Sequence, residues 1–230
     1  MRDVRLVVAD DAEAAARAAA ECLAEAAGAG CEIALSGGST PRRAYELAAG
    51  LQADWSRAGL WWGDERCVPP DDPRSNFRLA REALLDRLVR APRAVHRIEG
   101  EQGAEEAARR YELALGGIGF DLVLLGIGDD GHTASLFPGS AALDERRRLA
   151  LPVAAAGVDR VTLTLPALLG AAQIVFLAVG TGKAKAVRRA FAEAPTREVP
   201  ASLVRSERGE TVAILDRAAA AELDRIRSST

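Results

Sequence analysis

The sequence predicts an α/β fold, with a mostly parallel β-sheet and helices on both of its faces in a Rossmann-like arrangement. Short apolar runs, such as residues 122–125 and 174–179, are bounded by turn residues, which is typical of strands buried in a parallel sheet. Longer stretches with helix-start and helix-stop signals separate these runs, so strands and helices alternate along the chain. No repeat, linker or change of composition divides the sequence, and we expect a single domain over residues 1–230.

The helices are predicted mainly from the signals at their ends. Asp11 is a good N-cap for a helix that reaches about Ala27, where Gly28 and Gly30 end it. Thr40 and Pro41 suit the N-cap and first turn of the next helix. The predicted helices cover residues 12–27, 41–49, 76–88, 101–115, 183–192 and 218–227. The predicted strands cover residues 4–9, 33–35, 60–63, 95–98, 122–125, 149–153, 161–165, 174–179 and 211–215, and a long polar loop covers 64–75.

Composition limits the kinds of protein that this chain can be. Of the 230 residues, 49% are hydrophobic and 27% are charged, which is ordinary for a globular protein with a substantial core. The net charge of −3 gives no support for a nucleic-acid partner. No run approaches the length of a membrane span, and the acidic N-terminal segment is unlike a signal peptide. Three cysteines without metal-ligand spacing suggest free thiols, so we expect a cytoplasmic protein that binds no membrane.

The richest chemistry in the sequence follows the predicted strand at 122–125. Three glycines surround two aspartates, and His132, one of two histidines in the chain, comes directly after them. Ligands of open α/β sheets bind beyond the carboxyl ends of the strands, so Asp130 and His132 lie where such folds place their active sites.

The literal G-x-G-x-x-G pattern of residues 126–131 also fits a dinucleotide-binding site. That site needs a helix from the third glycine and an acidic residue about 20 positions later, and the sequence offers neither.

Residues 126–139, GIGDDGHTASLFPG, resemble the signature of the 6-phosphogluconolactonase family. The related glucosamine-6-phosphate deaminases share the D-G-H core, but they carry an acidic residue five positions after the histidine, where this chain has Phe137. They also carry Ile-Ala-Phe-Asn where this chain has Thr-Ala-Ser-Leu at 133–136. These departures favour the lactonase. The resemblance covers nearly the whole chain and implies an α/β domain of the sugar-phosphate isomerase type.

The reaction implied by the resemblance is attack of water on the C1 carbonyl of 6-phospho-D-glucono-1,5-lactone, in the oxidative pentose phosphate pathway. His132 would be the general base, since imidazole is neutral and basic near pH 7. Asp130 would orient His132 or stabilise its cation, although the two-residue spacing leaves Arg66 or the substrate as other partners. The resemblance requires no metal and no cofactor, and it suggests a monomer whose partner is the small-molecule lactone.

The stretch ALSGGSTP, residues 34–41, is the second candidate part of the functional site. Its two glycines let the backbone approach a ligand, and the helix expected after them offers free N–H groups to an anion. The stretch resembles the sugar-phosphate loop of the family. The residues expected to bind substrate phosphate here are Gly37, Gly38, Ser39 and Thr40. The same residues are also close to the nucleophile-elbow motif of hydrolases, with Ser36 in the position of the nucleophile. A serine hydrolase therefore stays open as an alternative.

A third element, residues 63–76, reads GDERCVPPDDPRSN and matches the spacing of the lactonase pattern. Arg66 can hold a phosphate through two parallel hydrogen bonds. Asp64 is expected to orient Arg66 or to contact hydroxyl groups of the sugar. Without the resemblance, this run of charges would simply be a solvated surface loop.

The remaining candidates are basic residues. Lys183, one of only two lysines, follows the predicted strand at 174–179, and the resemblance implies that it contacts substrate phosphate. The letters around it do not form a Walker A loop, because the first glycine and the final Ser or Thr are missing. Arg160 also matches the family and is expected to bind substrate. His96 is expected to be structural or only weakly involved.

Two further functions stay open beside the lactonase and the serine hydrolase. A sugar-phosphate isomerase or deaminase would share the fold and differ at Phe137. A non-catalytic sugar-phosphate sensor would share the binding loops, but it should have lost His132 and would normally add a DNA-binding segment.

Overall fold

The computed structural model describes residues 3–223 and is built on ten β-strands. The strands are β1 (Val4–Ala9), β2 (Glu32–Leu35), β3 (Gly59–Trp62), β4 (Asp64–Arg66), β5 (Ala94–His96), β6 (Leu122–Leu125), β7 (Ala150–Val153), β8 (Arg160–Leu163), β9 (Gln173–Ala178) and β10 (Glu210–Asp216). Seven of them form one sheet in the order β1-β10-β9-β6-β2-β3-β5, and each neighbouring pair in it is parallel. The predicted α/β fold with a mostly parallel sheet is confirmed.

Helices connect the strands and cover both faces of the sheet. The α-helices are α1 (Ala12–Ala29), α2 (Ser39–Gly50), α3 (Asn76–Ala83), α4 (Ala104–Leu115), α5 (Leu165–Leu169), α6 (Ala184–Phe191) and α7 (Arg217–Ala220). Short 3₁₀ helices cover Trp55–Arg57, Leu85–Arg87, Gly100–Gln102, Ala141–Asp144, Thr181–Lys183 and Pro200–Leu203. The crossovers through α1 and α2 run in one direction across the sheet, and those through α4 and α6 run in the other. Because such crossovers are right-handed, the two pairs lie on opposite faces.

The end signals of α1 work largely as expected. Asp11 caps the helix by accepting a hydrogen bond from the N–H of Ala14 at 2.8 Å. Gly30 ends it in the left-handed conformation, with a φ of 81°. Gly28, predicted to help stop the helix, instead lies within the last turn, because only Gly30 adopts that conformation there. The buried face of α1 is mostly alanine, which lets the helix pack closely on its neighbours.

Several predicted boundaries were wrong. Residues 64–66, expected to be loop, form β4, which pairs antiparallel with β8 in a second sheet of order β4-β8-β7. Thr40, expected to be an N-cap, lies inside α2, whose N-cap is Gly38. The α-helix expected over 76–88 stops at Ala83 and continues only as a 3₁₀ turn. Of the final predicted helix, α7 covers the first part, and positions beyond 223 lie outside the described residues.

The topology creates one switch point in the large sheet. From β2 the chain winds through β3 to β5 on one side, and from β6 it winds through β9 to β10 on the other. Ligands of open α/β sheets bind at such a point, outside the carboxyl ends of the strands. The loops that follow β2 and β6 therefore meet where a ligand site is expected. Within residues 3–223, no helix is both long and apolar enough to cross a membrane.

Candidate functional site

A cavity of about 200 Å³ lies at the switch point, against the carboxyl ends of the strands. Four other clefts on the described surface are larger, at about 450 to 580 Å³. The largest of them contains His96, but this ring is stacked on Trp61, with 3.9 Å between centroids, and has a structural role there. The smaller cavity brings together seven of the ten predicted site residues, and the other three, Asp130, Ser39 and Thr40, do not line it. It is lined by Ser36, Gly37, Gly38, Asp64, Arg66, Asn76, Gly126, Ile127, Gly128, His132, Ala134, Arg160 and Lys183.

His132 reaches this cavity from a tight turn after β6. The turn is closed by hydrogen bonds from the N–H of Gly131 to the Gly128 carbonyl, at 2.9 Å, and from the N–H of Gly128 to the His132 carbonyl, at 2.8 Å. Gly131 needs its lack of a side chain, since its φ is 88°. Gly128 needs it for space, because a Cβ there would lie 2.1 Å from His132 Nδ1. The two glycines thus allow the turn to close and leave the space that the imidazole occupies.

Asp130 holds the ring of His132 although only one residue separates them. Its Oδ1 lies 2.6 Å from His132 Nδ1 and accepts the backbone N–H of His132 at 3.0 Å. Partial burial raises the pKa of Asp130, but the hydrogen bonds and the charge of His132 outweigh that effect and lower it overall. Asp130 is therefore a stable anion beside Nδ1. With Nδ1 donating to this carboxylate, the opposite ring nitrogen, Nε2, is the one that can accept a proton.

The glycine loop after β2 approaches the cavity through Gly37 and Gly38. Gly38 caps α2 with a φ of 110°, which favours glycine, and the first turn of the helix leaves N–H groups without helical partners. Ser39 and Thr40, both predicted to bind phosphate, do not line the cavity; their backbone N–H groups belong to this first turn. The backbone of Ser36 is fixed by Tyr45, whose hydroxyl accepts the Ser36 N–H and donates to its carbonyl.

Asp64 lines the cavity, but its carboxylate is already bound by neighbouring side chains, which together with Asp64 form what we call the cavity wall: Ser135, Asn76 and Arg160. Oδ2 accepts a hydrogen bond from the Ser135 hydroxyl at 2.6 Å, and Oδ1 accepts one from Asn76 Nδ2 at 3.1 Å. Arg160 Nη1 lies 3.8 Å from Oδ2. The side chain of Asp64 is only 7% exposed. Asp64 thus ties three other segments together around the cavity.

Glu65, the neighbour of Asp64, faces away from the cavity and caps α3. Its carboxylate accepts the N–H groups of Asn76 and Phe77 and the hydroxyl of Ser75. Burial raises the pKa of Glu65, and these hydrogen bonds act in the opposite direction. The two consecutive acids therefore point to opposite sides of β4, as neighbours in a strand do.

Three predicted cations reach the cavity from different elements. Arg66 extends from β4 and donates through Nη1 to the carbonyl of Arg74. Arg160 comes from β8, and burial lowers its pKa without removing its charge. Lys183 follows β9 and places its Nζ 2.6 Å from Asp129 Oδ1. Arg66 and Arg160 are register partners on the paired strands β4 and β8, so two of the three cations lie side by side and Lys183 comes from a separate segment.

Sequence reasoning missed Asn76 as a member of the site. Its Nδ2 donates to both the carbonyl and the carboxylate of Asp64, so its Oδ1 faces away from them, toward Gly37. This oxygen is buried and has no hydrogen-bond partner among the described residues, as is true of the Ser36 hydroxyl. A Cβ on Gly37 would lie 1.8 Å from Asn76 Oδ1. The Ser-Asn pair closing the 63–76 pattern was the available signal.

No group of three or more His, Cys, Asp or Glu side chains in residues 3–223 is placed to hold a metal ion. The chemical groups of the cavity are an imidazole–carboxylate pair, three cations and glycine-rich backbone. Such a set can bind a phosphorylated molecule and move a proton beside it.

Comparisons with known proteins agree with this description. A family model described as glucosamine-6-phosphate isomerases/6-phosphogluconolactonase matches residues 5–213. A 6-phosphogluconolactonase of Nostoc sp. is 39% identical over 202 residues, covering 83% of this chain and 84% of the relative. One of Streptomyces coelicolor is 37% identical over 249 residues, covering 96% and 95%. The solved structure of 6-phosphogluconolactonase from Trypanosoma brucei superposes with a TM-score of 0.86 at 27% identity, covering 97% of this chain and 100% of that one. The chain belongs to the glucosamine-6-phosphate isomerase/6-phosphogluconolactonase family.

Proposed function

We propose that this chain hydrolyses 6-phospho-D-glucono-1,5-lactone to 6-phospho-D-gluconate, the second step of the oxidative pentose phosphate pathway. The observation that carries the proposal is the Asp130–His132 pair beside a cavity that also holds Arg66, Arg160 and Lys183. The proposal is supported by relatives named 6-phosphogluconolactonase, which are similar to this chain over most of its length.

In the proposed reaction, His132 Nε2 takes a proton from a water molecule as the water oxygen attacks the C1 carbonyl. Asp130 stabilises the imidazolium that forms, because its carboxylate already lies against Nδ1. Backbone N–H groups of the glycine-rich loops stabilise the negative oxygen of the tetrahedral intermediate. The bond between C1 and the ring oxygen then breaks, and the imidazolium returns its proton to that oxygen. The product is the open-chain acid, which releases a proton to solvent to give 6-phospho-D-gluconate, and no covalent intermediate is needed.

The phosphate of the substrate is expected to lie among the cations. Lys183 and Arg66 supply charge, and the first turn of α2 supplies N–H groups. Arg160 sits between Asp64 and the Phe137 ring, whose centroid is 5.5 Å from its guanidinium carbon. We expect Arg160 to orient the sugar rather than to bind the phosphate alone, since Asp64 offsets part of its charge.

The deaminase alternative is disfavoured by the surroundings of His132. Phe137 stands where the deaminases carry an acid, and its ring centroid is 5.0 Å from that of His132. A phenyl ring cannot replace a carboxylate in proton transfer. The serine-hydrolase alternative is disfavoured because the Ser36 hydroxyl has no hydrogen-bond partner among the described residues, whereas His132 is bonded to Asp130.

The deciding experiment is a coupled assay of lactone disappearance with and without the protein, corrected for spontaneous opening of the lactone. We expect hydrolysis well above the spontaneous rate and no release of ammonia from glucosamine 6-phosphate. Ammonia release faster than lactone hydrolysis would replace the proposal by the deaminase. Binding of 6-phosphogluconate with no turnover of either substrate would replace it by the sensor.

We further propose that residues 1–230 act as one domain, as a monomer and in the cytoplasm. The three cysteines carry no disulfide, which supports a reducing compartment. Light scattering on the eluted protein gives the mass that decides between a monomer and a larger assembly.

A further inference from the structure

The proposed mechanism leaves one charged contact of the cavity without a role. Lys183 Nζ is 2.6 Å from Asp129 Oδ1, and Asp129 is neither the partner of His132 nor part of the buried wall. The side chain of Asp129 is 78% exposed, whereas that of Lys183 is 29% exposed. A cation expected to bind phosphate thus already faces a carboxylate that solvent can reach.

The contact differs from the other carboxylate contact in the cavity. Arg160 faces Asp64, but that acid is fixed by Ser135 and Asn76 and cannot move aside without breaking the wall. Asp129 is held through its ion pair with Lys183 alone among the side-chain contacts of the described residues. Its carboxylate can therefore leave at small cost, because an exposed ion pair contributes little.

The backbone at Asp129 is more constrained than its side chain. Asp129 lies inside the turn that the hydrogen bonds of Gly128, Gly131 and His132 close. If a phosphate takes the ammonium, rotation of the Asp129 side chain is sufficient, and His132 stays where Asp130 holds it. If the ammonium serves both anions through its three donors, the carboxylate remains beside the phosphate and repels it. Either way, Asp129 weakens phosphate binding.

We propose that Asp129 tunes the affinity of the site for phosphate, because it competes with the phosphate group of the substrate for the ammonium of Lys183. This inference rests on the proposed function, since it assumes that the phosphate binds at Lys183. In the absence of substrate, Asp129 neutralises Lys183 and so weakens the binding of inorganic phosphate. A substrate that offers hydroxyl contacts as well as phosphate overcomes the competition.

The test is calorimetric binding of inorganic phosphate and of 6-phosphogluconate to the Asp129→Asn variant at low salt. We expect binding about two- to fivefold tighter than in the parent, because an exposed ion pair typically contributes a free energy of that size. The gain should shrink as salt is raised, because exposed charges are screened. In kinetics, KM should fall for the phosphorylated lactone and stay the same for gluconolactone without phosphate.

Two further variants make the test specific. Asp86→Asn removes the same charge from an exposed ion pair with Arg81 at the far end of α3, and it should leave phosphate binding unchanged. In a Lys183→Ala background, Asp129→Asn should give no gain, because the contested ammonium is absent. A gain that persists without Lys183, or one that Asp86→Asn reproduces, would overturn the inference.

The inference and the proposed function can fail separately. Tighter phosphate binding by Asp129→Asn in a protein that does not hydrolyse the lactone would uphold the competition and reject the lactonase. Unchanged or weaker phosphate binding by Asp129→Asn in an active lactonase would reject the competition and leave the enzyme intact.

Discussion

Two carboxylates serve the same cavity in opposite ways, since Asp64 lines it and Asp130 stands behind His132, which lines it. Asp130 lies in a short turn, exposes 51% of its side chain and bonds a ring two positions along the chain. Asp64 exposes 7% and bonds Ser135, which is 71 positions away, as well as Asn76. The groups expected to move protons, Asp130 and His132, are thus held by contacts within one short turn and remain partly exposed to solvent. The cavity wall is held by contacts that exist only in the folded chain.

The largest expected effect comes from breaking the local pair. His132→Asn keeps the size of the side chain but removes the base, so turnover should fall by roughly 10²–10⁴. The variant should stay folded and still bind 6-phosphogluconate, because the wall is untouched. Ser36→Ala is the control and should keep most of the turnover. The reverse result, an inactive Ser36→Ala with a burst of acylated parent enzyme, would identify a serine hydrolase.

Breaking the wall should act on stability first. Asp64→Ala leaves the Ser135 hydroxyl, the Asn76 amide and Arg160 without their common acceptor, and we expect a loss of about 3 kcal/mol in the free energy of unfolding. Urea unfolding of the variant and the parent measures it. Asp130→Ala is the matched control and should cost well below that value, since its carboxylate is half exposed. Equal losses would mean that the two carboxylates do not differ as described.

Lys183 sharpens the comparison because it is brought in from a distant strand yet stays partly exposed. If exposure to solvent marks the residues that act on substrate, Lys183→Ala should weaken binding of the phosphorylated lactone. We expect a loss of about ten- to hundredfold, which corresponds to the energy of a charge-assisted hydrogen bond. Gluconolactone without phosphate should be affected little. Lys185→Ala, at the exposed second lysine, is the control in the same KM measurements. Equal losses on both lactones would show that Lys183 does not recognise the phosphate.

The smallest expected effect concerns acid. The pKa of Asp130 is lowered in the folded protein, so its contribution to stability is present above the ordinary aspartate value, about 3.9, and is lost as pH falls through the lowered value. We expect a contribution below about 1 kcal/mol because the group is half exposed. Unfolding free energies of the parent and Asp130→Asn should therefore converge between about pH 5 and the lowest pH at which the parent stays folded. A difference that grows on acidification would reverse the assigned sign.

The same contrast explains what was predictable from the sequence. The central strands β6 and β9 are short apolar runs between turn residues, so their positions followed from local pattern alone. The pairing of Asp130 with His132 was only one of the alternatives open from the sequence, because the two-residue spacing also allowed Arg66 or the substrate as the partner, and the folded turn brings Asp130 to His132. The residues of β4 could not be assigned, since Asp64, Glu65 and Arg66 carry three charges and become a strand only through pairing with β8.

Other misses have the same origin. Thr40 was a reasonable N-cap by residue type, but Gly38 can take a φ of 110° and starts the helix earlier. Asn76 could be recognised as part of a spacing but not as a neighbour of Gly37, because that contact joins the start of α3 to the loop after β2. Long-range contacts of this kind leave no periodic trace in the sequence.

The contact between Gly37 and Asn76 also has a consequence for sequence divergence. A Cβ at position 37 would overlap the amide oxygen of Asn76 at 1.8 Å, so position 37 cannot gain a side chain while Asn76 is present. A chain that gains alanine at 37 must shorten the side chain at 76, and Asp64 then loses a donor. Alanine at position 37 is therefore open only to chains that have already shortened residue 76, so the order of accepted substitutions at these two positions is constrained.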